Sequence, residues 1–188
     1  VRLALCYIVL LIMSIYSFCS VQSAYPQTGN WKKYDDIKFS FLYPPEWILN
    51  GTRHYDNGVT ETTLTNPNSS RMKVSLVYNP KDSSLDSEDG KPVALTSVLK
   101  VLEDQAAVDY INFSSTGKFP HKYSIQNHPS VSDIVDYEKV KGRTGKMLLL
   151  YSKVGDTDTI QFTFADSKRS FYKQLPVISA IIKSVIIK

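Results

Sequence analysis

The chain has 188 residues, of which 43% are hydrophobic and 21% charged, with a formal net charge of +4 and a mean hydropathy of −0.18. That length suits one domain. The composition is close to the globular average and excludes a wholly disordered chain, a collagen and a multi-pass membrane protein.

Residues 1–23 read as a targeting segment. Arg2 is the only charge before Lys32, and Leu3 to Cys19 is an apolar run broken only by Ser14 and Ser17. Small polar residues follow, which is the layout of a secretory signal, and Val21 and Ser23 suit cleavage after Ser23. The rival reading is an uncleaved N-terminal anchor. Seventeen residues make about 25 Å of helix, short of the roughly 20 residues a span needs. Tyr16-Ser17-Phe18 before Cys19 lacks the aliphatic and small residues that lipidation there requires. The chain starts with Val, so either an alternative start codon was read literally or a few residues are missing.

Both cysteines, Cys6 and Cys19, fall in this segment. Its removal excludes thiol nucleophiles, Cys-ligated zinc, iron–sulfur clusters and disulfides. An exported domain of that kind is held by its core, which this size permits. Three sequons agree with export: Asn50-Gly51-Thr52, Asn68-Ser69-Ser70 and Asn112-Phe113-Ser114. They make Asn50, Asn68 and Asn112 glycosylation candidates, the first two in turns and the third at the end of a helix.

Residues 24–33 read as a tether, because Ala24 to Asn30 holds Pro26 and Gly29 and has no periodicity. Trp31 is expected to pack that segment onto the sheet. Ile37, Phe39, Phe41 and Tyr43 alternate as a half-buried strand, which Pro44-Pro45 ends. Trp47-Ile48-Leu49 restarts a short strand. Asn57-Gly58 is a turn signal, followed by a Thr-rich strand from Val59 to Thr65. Asn66 to Ser70 is a second turn, and Met72, Val74, Leu76 and Tyr78 alternate again. Asn79 to Pro92 is a polar loop with Asp82, Asp86, Glu88 and Asp89.

Thr96 or Ser97 is placed to cap the next helix. Its stripe is Leu95, Val98, Leu99, Leu102, Ala106 and Tyr110, at steps of three and four. Gly117 to Pro129 is irregular, and Val131 to Val140 is a strand. Met147 to Lys153 and Thr157 to Ala165 form a hairpin about Gly155-Asp156, which suits a type II′ turn. Ser167 caps a final helix striped by Phe171, Leu175, Ile178 and Ile182. Pro176 predicts a kink or two abutting pieces. Ser184 to Ile187 reads as a closing strand. Strands joined by hairpins and two amphipathic helices define an α+β fold, an antiparallel sheet covered by helices.

Phe39-Ser40-Phe41-Leu42-Tyr43-Pro44-Pro45-Glu46-Trp47 resembles the opening of the PsbP-like family, an aromatic strand, Tyr-Pro and a following Trp. The ending is similar too, with Ile160-Gln161-Phe162-Thr163-Phe164-Ala165, then Phe171, Leu175-Pro176 and Ile182-Lys183-Ser184-Val185-Ile186. The resemblance covers residues 34–188 and implies an α/β/α sandwich in an exported prokaryotic member. Relatives include the extrinsic subunit of the photosynthetic oxygen-evolving complex and a Ran-binding import factor. The family hosts adaptor and stabiliser roles, so function drawn from it is analogy.

Motifs for chemistry are sparse. His121 and His128 share one loop with Asp133 nearby and are the metal candidates, although no ligand spacing joins them. Family analogy alone suggests calcium or manganese, and the family's ligands cannot be matched to residues of this chain. No cofactor is expected. The Asp82–Gly90 loop departs from a calcium loop at Ser87 and Lys91-Pro92. There is no Gly-x-Ser-x-Gly elbow and no phosphate-binding glycine loop. Lys139, Lys141, Arg143 and Lys146, with Lys168, Arg169 and Lys173, are candidates for a face that docks an acidic partner or anionic surface. The net charge is too modest to imply nucleic acid.

The sequence is therefore expected to encode a non-enzymatic interaction or stabilising domain of a surface or membrane-associated complex. It would be secreted or anchored on the extracytoplasmic face, with a protein partner there. Membrane contact would come only through residues 1–23 if uncleaved. The alternatives are an extracytoplasmic small-ligand or metal-binding protein and an unrecognised hydrolase.

Overall fold

The structure, a computed structural model, describes residues 28–82, 93–115, 123–139 and 142–188. Residues 1–23, Asp86, Glu88, Asp89, His121 and Lys141 lie outside the described residues. The elements in chain order are β1 (Lys32–Asp35), β2 (Phe39–Tyr43), β3 (Ile48–His54), β4 (Thr60–Asn66) and β5 (Ser69–Asn79), then α1 (Leu95–Ala107). They continue with β6 (Asn112–Ser115), β7 (Ser130–Glu138), β8 (Thr144–Lys153), β9 (Thr159–Ser167), α2 (Lys168–Ser184) and β10 (Ile186–Ile187).

Strand alternation decides the layering. Ile160, Phe162 and Phe164 of β9 are fully buried, as are Val74 and Leu76 of β5, and they share one face with Leu148 and Leu150 of β8. The polar residues between them face the other way. The large sheet runs β3-β4-β5-β9-β8-β7-β6, a smaller one runs β1-β2-β10, and every pairing is antiparallel. Phe171, Ile178 and Ile182 of α2 join Phe39 and Phe41 of β2 in covering the apolar face. Each such side chain contributes about 1.5–3 kcal/mol when buried. Leu99 of α1 packs on Val135, Met147 and Leu149 of the opposite face, forming a smaller second core. The α+β sandwich expected from the sequence is the fold observed.

Several local expectations change. β1 begins at Lys32, inside the stretch read as a tether. Its single apolar residue, Tyr34, gives no period to detect. Trp31 does pack against the core. Ile37 leaves the strand face and sits 83% exposed in the β1–β2 turn. Asp36 holds that turn by accepting the Lys38 amide at 3.2 Å. Asn57-Gly58 makes its turn, with Gly58 at φ +84°. Gly155 lacks the positive φ that a type II′ turn needs. A five-residue loop joins β8 to β9 instead, closed by the Val154 amide on the Asp158 carbonyl at 2.9 Å.

α1 starts at Leu95 behind Ala94, with no side-chain cap. That start turns Val98 and Leu99 onto the sheet, and their burial outweighs a cap worth about 1 kcal/mol. α2 keeps its predicted cap, the Ser170 amide donating to Ser167 Oγ at 3.3 Å. It runs through Pro176 as one helix. The carbonyl that Pro176 leaves without a donor belongs to Tyr172, which is 50% exposed and open to water. Asn112 begins β6 instead of ending a helix, and Asn50 lies in β3 instead of a turn.

Candidate functional site

One corner of the sandwich gathers most of the predicted docking residues. The β7–β8 turn lies beside the start of α2 because Gly145 pairs with Ser167 across β8 and β9. Gly145 is required there: a Cβ would strike the Tyr137 ring and come within 2.8 Å of the Asp166 carbonyl oxygen. The turn is held by Glu138, whose carboxylate accepts from the Gly142 amide and, at 2.7 Å, from Asn112 Nδ2. These bonds hold the Glu138 carboxyl below its ordinary range. At the other end of the corner, Asp166 Oδ1 accepts from the Ser167 amide at 2.7 Å and from Ser69 Oγ at 3.2 Å.

The cations divide into two sets. Lys146 and Lys168 both reach Asp136 Oδ1, at 3.0 and 3.1 Å. Burial pushes the Asp136 carboxyl up, but hydrogen bonds from Lys146 and Lys168 outweigh it and hold it below the usual range. Burial likewise lowers the Lys146 ammonium, and Asp136 more than reverses this, so it stays charged. Lys146 also stands 5.6 Å from the centre of the Tyr172 ring, a cation–π contact.

Lys139, Arg143, Arg169 and Lys173 form the second set. All four are exposed, and among the described residues none has an acid within salt-bridge distance. Arg169 and Lys173 are one turn apart and share a side of α2. Lys168 and Arg169 occupy the first turn of α2, which holds no acid. Cations there oppose the helix dipole at about 0.3–1 kcal/mol each. Asp136, which organises the corner, was missed in the sequence because its role depends on a three-strand register.

Of the metal candidates, His121 lies outside the described residues. His128 sits in the turn before β7, its amide donating to the Ile125 carbonyl at 2.8 Å. Asp133 is 8% exposed and faces α1, accepting from Ser115 Oγ and from the Ile134 amide at 2.7 Å. Among the described residues, no three His, Cys, Asp or Glu side chains are grouped closely enough to hold a metal ion. The three sequon asparagines are exposed, with Asn68 in the β4–β5 turn and Asn50 Nδ2 donating to Thr65 Oγ1 at 3.2 Å.

Sequence reading also missed a buried acid pair. Glu103 of α1, 8% exposed, is hydrogen-bonded to Asp133 of β7, a contact no local pattern encodes. Burial pushes the Glu103 carboxyl up, and the hydrogen bond and charge of Asp133 add to this, while Lys100 at 3.9 Å opposes it. The folded value lies above the ordinary 4.5. Protonated Glu103 therefore contributes its full stabilisation below 4.5 and loses it as pH rises through the folded value. Glu103→Gln removes the ionisation. We expect the variant to match wild type in urea unfolding at pH 4 and to exceed it at pH 7. Parallel pH profiles for the two chains would contradict this.

The α+β sandwich is similar to that of several solved structures. No family model matches the sequence, and no curated protein does. Among solved structures, the chain is similar to the Ran-binding protein Mog1p of Saccharomyces cerevisiae at TM-score 0.51 and 8% identity, covering 84% of this chain and 95% of that one. It is also similar to the cyanobacterial PsbP (CyanoP) of Synechocystis sp. PCC 6803, at TM-score 0.48 and 14% identity over 84% and 92% of the two chains. PA94 of Pseudomonas aeruginosa, described as a putative regulator of unknown function, gives TM-score 0.49 and 12% identity over 85% and 99%. At these identities the likeness extends to the fold alone.

Proposed function

We propose that this chain is a non-enzymatic interaction domain that works outside the cytoplasm and docks an acidic protein partner through the corner formed by the β7–β8 turn and α2. The observation that carries the reading is the second set of cations, Lys139, Arg143, Arg169 and Lys173, exposed and without acid partners among the described residues, with Arg169 in a first helical turn that disfavours it. Charge arranged this way steers an encounter with an oppositely charged surface and fixes its orientation. Asp136 anchors Lys146 and Lys168 between them, so the corner is a positioned surface, not a set of loose side chains. The extracytoplasmic setting rests on the signal-like residues 1–23 and the sequons.

Affinity capture of the native protein from membranes, with mass spectrometry of what accompanies it, tests the reading. The expected result is a co-purifying protein released by raising the salt. Recovery of the chain alone, with metal in the same sample, would favour the metal-binding alternative and remove this one.

A further inference from the structure

The cationic corner has an apolar flank. Val108 and Ile111, in the connection from α1 to β6, are 85% and 64% exposed. A lone exposed aliphatic residue is ordinary. These two are set apart by what holds them and by what stands beside them. Tyr110, between them in the chain, packs on Tyr137 and Phe113, with ring centroids 4.7 and 6.1 Å away. The Val108 amide donates to the Gln105 carbonyl at 3.3 Å, and the Ile111 amide to the Glu138 carbonyl at 2.8 Å. The connection is pinned at both ends, so its two aliphatic side chains need little ordering on contact.

The neighbours narrow the ligand. Asn112 pairs with Glu138, and continuing that register places Ile111 next to Lys139. The Lys139 amide in turn donates to the Arg143 carbonyl at 3.3 Å. With strands about 4.8 Å apart, one aliphatic and two cationic residues stand in a row about 10 Å long. Two acids are close. Glu138 accepts from the Gly142 amide and from Asn112, and Asp109 is outnumbered by Lys139 and Arg143. A purely apolar segment laid on this row would desolvate cations without pairing them. A purely acidic one would leave Val108 and Ile111 in water beside it.

We propose that the protein partner docks with a segment in which an aliphatic side chain stands next to acidic ones. The aliphatic group covers Val108 and Ile111, and the carboxylates meet Lys139 and Arg143. This rests on the docking reading above and adds the chemistry of the docked segment. The cations set how fast that segment arrives, and the apolar contact sets how long it stays.

Selection of a phage-displayed library of random peptides on the full chain tests it. The expected binders join aspartate or glutamate to an adjacent aliphatic residue. Capped synthetic copies should leave the Val108→Ser/Ile111→Ser variant about tenfold faster, with the association rate and its salt dependence as in wild type. They should associate more slowly with an Arg143→Glu variant. Should the double variant fail to fold, Val108→Asn, at a side chain that touches little of the fold, should speed dissociation about threefold. Acidic binders with no aliphatic residue, held equally by the serine variant, overturn this inference and leave the docking reading standing. Aliphatic binders without acids overturn it as well. An empty selection overturns it alone, because capture from membranes decides the docking reading.

Discussion

Phe164→Ala should be the most destabilising single truncation, at about 3–5 kcal/mol. Phe164 is fully buried at the centre of the large sheet, paired across β8 and β5 with Leu148 and Val74. Its ring stacks on Phe171 of α2, with centroids 4.9 Å apart and an interplanar angle of 20°. The truncation removes buried area, leaves a cavity between two rigid layers, and deletes an aromatic pair worth about 0.5–1.5 kcal/mol. Against a total stability of about 5–15 kcal/mol, the loss leaves a marginal fold. Urea unfolding should show a lower midpoint with an unchanged slope. A loss below about 1 kcal/mol would mean that α2 does not lock the sheet as described.

Reversing Arg143, Arg169 and Lys173 to glutamate should leave stability nearly unchanged and reduce affinity for the captured partner on the order of 100-fold. All three are exposed and unpaired among the described residues, so the fold loses no ion pair. Glutamate at position 169 also suits the first turn of α2 better than arginine. A merely solvated face would show neither effect on binding nor salt dependence. The loss should fall mainly in the association rate, and wild-type affinity should fall as salt rises. An Asp136→Asn variant is a poor substitute, because it also strips partners from Lys146, whose side chain is 13% exposed.

Where one residue pattern and one burial demand agreed, the fold was legible. Ile160, Phe162 and Phe164 alternate without interruption, and the structure buries all three. Ser167 stands before a helical stripe and caps it. β1 and β6 are short and carry one apolar residue each, so only their neighbours reveal them. Ile37 continued an alternation into what proved to be a turn, since period alone does not mark where pairing stops.

The candidate site was half legible. Lys139, Arg143, Arg169 and Lys173 showed as charge clusters in the sequence. Their assembly depends on the pairing of Gly145 with Ser167, a contact 22 residues apart. Asp136 with its two lysines and the Glu103–Asp133 pair each combine residues from different elements. No spacing rule brings such residues together.

The most direct test of the docking claim is zero-length carbodiimide cross-linking of the full chain to the partner captured from membranes, read by mass spectrometry. The predicted cross-links join the amines of Lys139 and Lys173 to aspartate or glutamate carboxyls of the partner, and they disappear at high salt. Cross-links confined to Lys32, Lys33 or Lys188, on the small sheet and at the C-terminus, would contradict the account.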